Sequence, residues 1–267
     1  MYSSELNTYA NLIFLQDKKN SLQGLNLFDL EKANIFAGQS WAEESLETSS
    51  YATALSNTYP YVGANILDLR LTPKEMIPWL EAGLKASRMK KDVKMEGNHL
   101  GTLGIAYHHL GEIRKAIHFY KEILELHREV GDRRGEGADL GNLGLAYCHL
   151  GEPRTAVDFY EQALAITREI GDRRNEGNWM INLGNTCSRL GGLHKGIKFY
   201  EQALKISQEI GDRRGEGLSL FNMSISLNAL GQKEEAVSLA KSALAIYELI
   251  ESPRAETVRQ KLAEWGA

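Results

Sequence analysis

Imidazole and thiol groups recur along the middle of the chain: His108 and His109, then Cys148 and His149, then Cys187. Imidazole with thiolate is a ligand set for zinc, and an adjacent cysteine and histidine are the raw material of a nucleophile and its base. Gly131-Asp132-Arg133-Arg134 combines a glycine turn with two guanidinium groups, as an anion site would. Asn142, Asn182 and Asn222 offer carboxamides, each of which both donates and accepts and so matches an extended peptide backbone.

The interval between these groups decides among the chemistries. Gly131-Asp-Arg-Arg-Gly-Glu-Gly137 returns as Gly171-Asp-Arg-Arg-Asn-Glu-Gly177 and Gly211-Asp-Arg-Arg-Gly-Glu-Gly217, a fixed step of forty residues. Weaker copies occur at Lys91-Asp92 with Glu96-Gly97 and at Ser252-Pro253-Arg254 with Glu256. Equivalent positions on stacked repeats are one or two helix diameters apart, each ~10 Å, which is too far for shared metal ligation. Cys187 falls where Tyr107 and Tyr147 stand, so a buried thiol is expected there. Cys148 and His149 diverge by roughly 100° around a helix and lack an oxyanion-hole signature. Neither a metal, a cofactor nor catalysis is expected.

What positions the remaining groups is a helix joint. Apolar periodicity ends at Val130, Ile170 and Ile210, and a glycine follows that can adopt the left-handed conformation closing a helix. Asp92, Asp132, Asp172, Asp212 and Ser252 then serve as N-caps, with a glutamate four residues on. Pro253 fits a first helical position, where its missing N–H costs nothing. Paired arginines oppose the dipole of a helix start, so partners on adjacent helices are expected, with Glu129, Glu169 and Glu209 the candidates.

Length and charge narrow the class further. The 267 residues carry a formal net charge of -4, which disfavours general nucleic-acid binding. Two cysteines give no disulfide framework, no apolar run reaches the ~20 residues of a membrane span, and Met1–Ala10 has no signal-peptide pattern. A cytoplasmic protein is the expectation, and its oligomeric state is left open.

Residues 1–52 lie outside the repeat frame. Tyr9, Leu12, Ile13 and Leu15 predict a short helix, and Leu27, Leu30, Ile35 and Trp41 an amphipathic one. Residues 53–251 form an array of one degenerate and four clear repeats, starting near 57, 97, 137, 177 and 217. In the degenerate repeat Ala64 and Leu67 replace Gly and Tyr, and Leu71-Thr-Pro opens a helix through Trp79, Leu80 and Leu84 that Pro78 need not break. Residues 252–267 predict a terminal helix covering the last apolar face with Val258, Leu262 and Trp265. Mid-helix Gly104, Gly144 and Gly184 cost about 1 kcal/mol each against Ala, a cost that close approach of two helices at Tyr120 or Tyr160 would explain.

Leu103-Gly104-x-x-Tyr107 followed by Ala116-x-x-x-Tyr120, with its later copies, resembles the tetratricopeptide repeat over about residues 97–250. The forty-residue length resembles the repeats of kinesin light chains and of the Leu-Gly-Asn adaptors. The Gly-Asp-Arg-Arg joint is similar to sensor arrays of bacterial STAND-type signalling ATPases, as is Leu30-Glu31-Lys32-Ala33-Asn34-Ile35 with Trp41-Ala42. The resemblance implies an all-α, right-handed α-solenoid of helix hairpins with helical caps, whose first helices line a concave groove. One such repeat cannot bury its apolar face alone, so neighbours must stack.

That implied groove selects candidate contacts. The sixth position of each repeat gives Thr102, Asn142, Asn182 and Asn222, either a peptide-binding ladder or amides satisfying groups between helices. Asn98 and His108 join them from the first clear repeat, then Asn178, Ile181, Asn185, Ser188 and Arg189 from the third, and Phe221, Ile225 and Asn228 from the fourth. The expected function is a non-catalytic scaffold or sensor binding a protein or peptide, with no nucleic acid and no membrane. An adaptor using its outer surfaces and a small-molecule receptor domain are the alternatives.

Overall fold

The computed structural model describes residues 18–61, 67 and 69–267. Over them the chain forms twelve α-helices and no strand: α1 (Lys18–Glu44), α2 (Ser50–Thr58), α3 (Pro73–Lys90), α4 (Val93–His109), α5 (Ile113–Val130), α6 (Arg133–Leu150), α7 (Pro153–Glu169), α8 (Arg173–Arg189), α9 (Leu193–Ile210), α10 (Arg213–Ala229), α11 (Lys233–Leu249) and α12 (Arg254–Glu264). The helix expected around Tyr9–Leu15, and Ala64, lie outside the described residues. Two compact units result, Met1–Leu126 and His127–Ala267, with the boundary inside α5.

In the first unit, α1 packs on α2 and α3 through Phe28, Ile35 and Ala42, a seven-residue spacing that keeps one face turned inward. This corrects the expected face: Leu30 is 82% and Trp41 46% exposed, because both sit away from the Phe28–Ile35–Ala42 line. Trp79 anchors the core edge-on to Phe36 at 5.0 Å and to Tyr59 at 5.5 Å. The Tyr59 hydroxyl donates to the Ile35 carbonyl at 2.7 Å. α3 opens on a capping box between Thr72 and Glu75, and Pro78 lies inside the helix without ending it. His99 is fully buried, its Nε2 3.0 Å from the Asn57 carbonyl.

In the second unit α6–α7, α8–α9 and α10–α11 are antiparallel hairpins, each packed on the next, and α12 closes the series. Val258 and Leu262 of α12 join Tyr247, Ala243 and Leu220 in its final core. Each joint is built alike. Gly131, Gly171 and Gly211 have φ of 73, 70 and 70°, and the caps that follow, Asp132, Asp172 and Asp212, accept from the N–H three residues on at 2.9, 3.2 and 3.1 Å. At the last joint Ser252 Oγ accepts from Arg254 N at 3.3 Å, and Pro253 stands just before α12 instead of opening it.

The arginines find the partners their position demands. Arg133 binds Glu169 and Glu136, and Arg173 binds Glu209 and Glu176, so one guanidinium ties the start of a first helix to the end of the second. Glu129 has Val93 in the corresponding frame position, which removes it from this pattern. Arg134 lies 3.4 Å from Asp172 of the next joint. Glu136 and Glu176 are buried and also meet Arg128 and Arg168, each at 2.9 Å. Burial alone would raise the Glu136 carboxyl, yet the hydrogen bonds from Arg128 and Arg133 outweigh it and hold the group below its ordinary value.

The two weak joints contain the fold's non-glycine left-handed residues among those described, Lys91 at φ 54° and Glu251 at φ 50°. A side chain in that region costs roughly 1–2 kcal/mol. Lys91→Gly and Glu251→Gly are therefore each expected to stabilise by about 0.5–1 kcal/mol, once the added freedom of the unfolded chain is subtracted. Urea unfolding of the two variants measures this, and a loss of stability in both would contradict the strain argument.

Candidate functional site

Within the second unit the first helices α6, α8 and α10 touch their own second helices and also one another in sequence. Each buries most of its circumference and leaves one stripe at i, i+4, i+7 and i+11. The stripes are Ala138, Asn142, Leu145 and His149; Asn178, Asn182, Asn185 and Arg189; and Leu218, Asn222, Ile225 and Ala229. All twelve are half-buried or exposed, and because the three helices adjoin, the stripes run side by side.

Asn142, Asn182 and Asn222 occupy the same rung on successive helices. The Asn142 and Asn182 amides make no side-chain hydrogen bond among the described residues, and Asn222 Nδ2 is buried without a partner. Asn185 is different: its Oδ1 accepts from the Tyr200 hydroxyl at 2.7 Å, which fixes the amide plane and leaves its NH2 as the available donor. Burial pushes that tyrosine up to about 12, so the hydroxyl remains a donor at neutral pH. Asn178 and Arg189 are exposed, Phe221 and Asn228 are half-buried, and Ile225 is exposed beside Asn222.

Other expected contacts go elsewhere. Ile181 is 3% exposed and sits in the hydrophobic core, since one step from Asn182 turns it about 100° away from the stripe. Ser188 lies between helices, its Oγ 3.4 Å from Ser226 Oγ and 3.5 Å from Tyr200 Oη. In the first unit, taken by itself, Asn98 is exposed on α4, and the Thr102 hydroxyl is engaged with the Asn98 carbonyl at 2.8 Å and with Tyr61 Oη at 3.3 Å. His108 is half-buried with its ring 6.2 Å from that of His109.

Sequence reasoning missed Trp179. Its indole lies against Gly141, where an added Cβ would stand 2.3 Å from the ring, and its Nε1 is buried without a partner. Gly141, next to Asn142 on α6, is covered by this ring. The available signal was a residue without a side chain on one first helix and a large aromatic ring in the following repeat.

The thiols play no part in this face. Cys148 Sγ is 3.1 Å from Thr186 Oγ1, and burial pushes the Cys187 thiol up, which keeps it protonated. Among the described residues no group of three or more His, Cys, Asp or Glu side chains is placed to hold a metal ion. Among the same residues no helix is long and apolar enough to cross a membrane.

Comparison with known proteins agrees with this geometry. No curated protein is significantly similar in sequence. Among solved structures, BtubC (BKLC) from P. vanneervenii superposes with a TM-score of 0.67 at 17% identity, covering 84% of this chain and 92% of that one. A STAND protein with a tetratricopeptide repeat sensor from Pyrococcus horikoshii gives 0.64 at 20% identity, covering 96% of this chain and 42% of that one. The Rap conjugation gene regulator of a plasmid, in complex with a Phr peptide, gives 0.64 at 12% identity, covering 96% and 77%. The tetratricopeptide repeat family itself matches residues 96–169 and 175–248, more than half of the sequence. With the joints, hairpins and inner stripes in register with that match, the chain belongs to the tetratricopeptide repeat family.

Proposed function

We propose that this chain is a non-catalytic scaffold or sensor that holds an extended peptide, or an extended segment of a partner protein, along the adjoining stripes of α6, α8 and α10. The observation that carries this reading is the row of Asn142, Asn182 and Asn222, three amides in equivalent positions, unclaimed by other side chains. Asn142 and Asn182 can each meet a peptide C=O and N–H at once, while the buried Nδ2 of Asn222 leaves its Oδ1 as an acceptor, and a rung on each helix suits a chain running across all three. Leu145, Leu218 and Ile225 flank the amides and provide apolar contact, while Asn178, Asn185 and Arg189 make the middle helix the polar segment. The ligand is thus an extended stretch with a polar centre and apolar ends. The structurally similar Rap regulator was solved with a peptide, and the similar STAND protein has a repeat sensor; both favour a recognition role.

The test is a triple Asn142/Asn182/Asn222→Ala variant, with a peptide selected on the wild-type chain from a random library. Each lost hydrogen bond is worth about 0.5–1.5 kcal/mol, so affinity is expected to fall by about 10- to 1,000-fold while thermal unfolding is unchanged. A correctly folded triple variant that binds the selected peptide at full strength would remove the stripes from the recognition surface.

A further inference from the structure

A second feature stands apart from the inner stripes. In two hairpins a first-helix tyrosine stacks on a phenylalanine twelve residues later. Tyr107 stacks on Phe119 with ring centroids 5.4 Å apart and planes 6° from parallel. Lys115 Nζ lies 4.8 Å from the Tyr107 centroid, and the tyrosine hydroxyl donates to Glu81 Oε1 at 2.7 Å. Tyr147 stacks the same way on Phe159, at 5.1 Å and 8°. In that hairpin Thr155 stands at the frame position of Lys115. In the last hairpin both halves are replaced together, by Leu227 and Leu239.

The hairpin between these two breaks the pattern in one place only. Eighty residues beyond Glu81, Lys115 and Phe119 stand Glu161, Lys195 and Phe199, yet eighty residues beyond Tyr107 stands Cys187. All three partners of the Tyr107 ring are kept and the ring is missing. Beside Cys187 is a surface pocket of about 350 Å³, walled by Val157 and Asp158 of α7 and by Cys187, Leu190 and Lys195. Lys195 Nζ has settled over the Phe199 ring itself, 5.8 Å from its centroid, as expected when the intervening layer is absent. The charges of Lys195 and Glu161 both reach the Cys187 thiol.

We propose that the pocket at Cys187 is a receptor for a para-substituted phenol ring, which stacks on Phe199, takes Lys195 over its other face and donates its hydroxyl to Glu161. The ligand chemistry is that of a tyrosine side chain, supplied either as a free phenol or by a polypeptide. Its walls come from α7, the last turn of α8 and the start of α9, and include none of the twelve stripe residues, so it does not depend on the peptide reading of the inner stripes.

The experiment titrates p-cresol, toluene and N-acetyltyrosinamide into the isotope-labelled full chain and follows backbone resonances. Saturable p-cresol shifts are expected at Cys187, Leu190 and Lys195, with affinity about tenfold above that of toluene, because only p-cresol can donate to Glu161. E161Q is expected to erase most of that preference without abolishing toluene binding. C187Y is expected to fill the pocket with its own ring, to abolish p-cresol binding and to raise the unfolding temperature. Binding of N-acetyltyrosinamide as tight as p-cresol assigns the site to a polypeptide tyrosine; p-cresol binding alone assigns it to a free phenol. Absence of saturable shifts, equal binding of p-cresol and toluene, or full p-cresol binding by C187Y overturns the proposal. Should C187Y fail to fold, the toluene comparison and E161Q decide it unaided.

Discussion

Gly144→Leu is expected to lower the unfolding temperature by on the order of 10 °C or more, the largest effect of any substitution considered for the second unit. A Cβ at this position would lie 2.8 Å from both Cδ1 and Cε1 of Tyr160, closer than carbon atoms pack. Tyr160 has nowhere to retreat: it is 1% exposed and its ring stands 6.2 Å from that of Trp179. Two effects oppose each other in the smaller Gly144→Ala change. Helix propensity favours alanine by about 1 kcal/mol, whereas overpacking a tight interior typically costs about 1–3 kcal/mol. Overpacking should prevail, because the clash involves a ring held on both sides. The equivalent close contacts, Gly104 with Tyr120 at 2.4 Å and Gly184 with Tyr200 at 2.5 Å, make the same ordering expected there. Thermal and urea unfolding followed by circular dichroism measure it. Leucine tolerated at 144 without loss would mean that the hairpin is not set by ring-on-backbone contact.

The second large effect is a loss of stability in mild acid that originates in the first unit. Burial pushes the His99 imidazole down to about 4, and neither its bond to the Asn57 carbonyl nor the charge of Asp92 restores it. A histidine whose folded value is depressed below the ordinary 6.5 favours the folded state above pH 6.5. That contribution is lost as pH falls from 6.5 through about 4, because the unfolded chain takes up the proton first. The interval corresponds to up to roughly 3 kcal/mol. The His99 resonance should remain that of a neutral imidazole until near the acid transition. His99→Gln is expected to flatten the pH dependence between 6.5 and 4, whatever it does to stability at neutral pH. An imidazole titrating near 6.5 at position 99 would refute the assignment.

The repeat was legible because each joint is specified by local chemistry. A left-handed glycine, an aspartate cap and a glutamate four residues on depend on a few neighbours in sequence, and they appear at the forty-residue step with or without knowledge of the packing. The pairing of Arg133 with Glu169 was legible for a related reason: the start of a first helix and the end of its partner return to the same edge. Faces were less legible. The residues Leu30 and Trp41 fit an apolar periodicity, yet α1 turns Phe28, Ile35 and Ala42 inward, and only the shape of α2 and α3 selects between those stripes. Ile181 and Trp179 show the same limit at the inner face. Which of two neighbouring apolar residues reaches solvent depends on whether the adjoining helix presents Gly141 or a side chain, and that is a property of the pair.

The uniform joints have a bearing on how such a chain can change in length. Since Asp132, Asp172 and Asp212 are bonded alike, and Arg133 and Arg173 each fasten their own hairpin, an excision or duplication of one forty-residue module rejoins compatible ends. Since α12 packs on the hairpin before it through Val258 and Leu262, growth by recombination further upstream leaves those contacts intact. Reach is therefore a property that this architecture can alter in whole steps, without redesign of its interior.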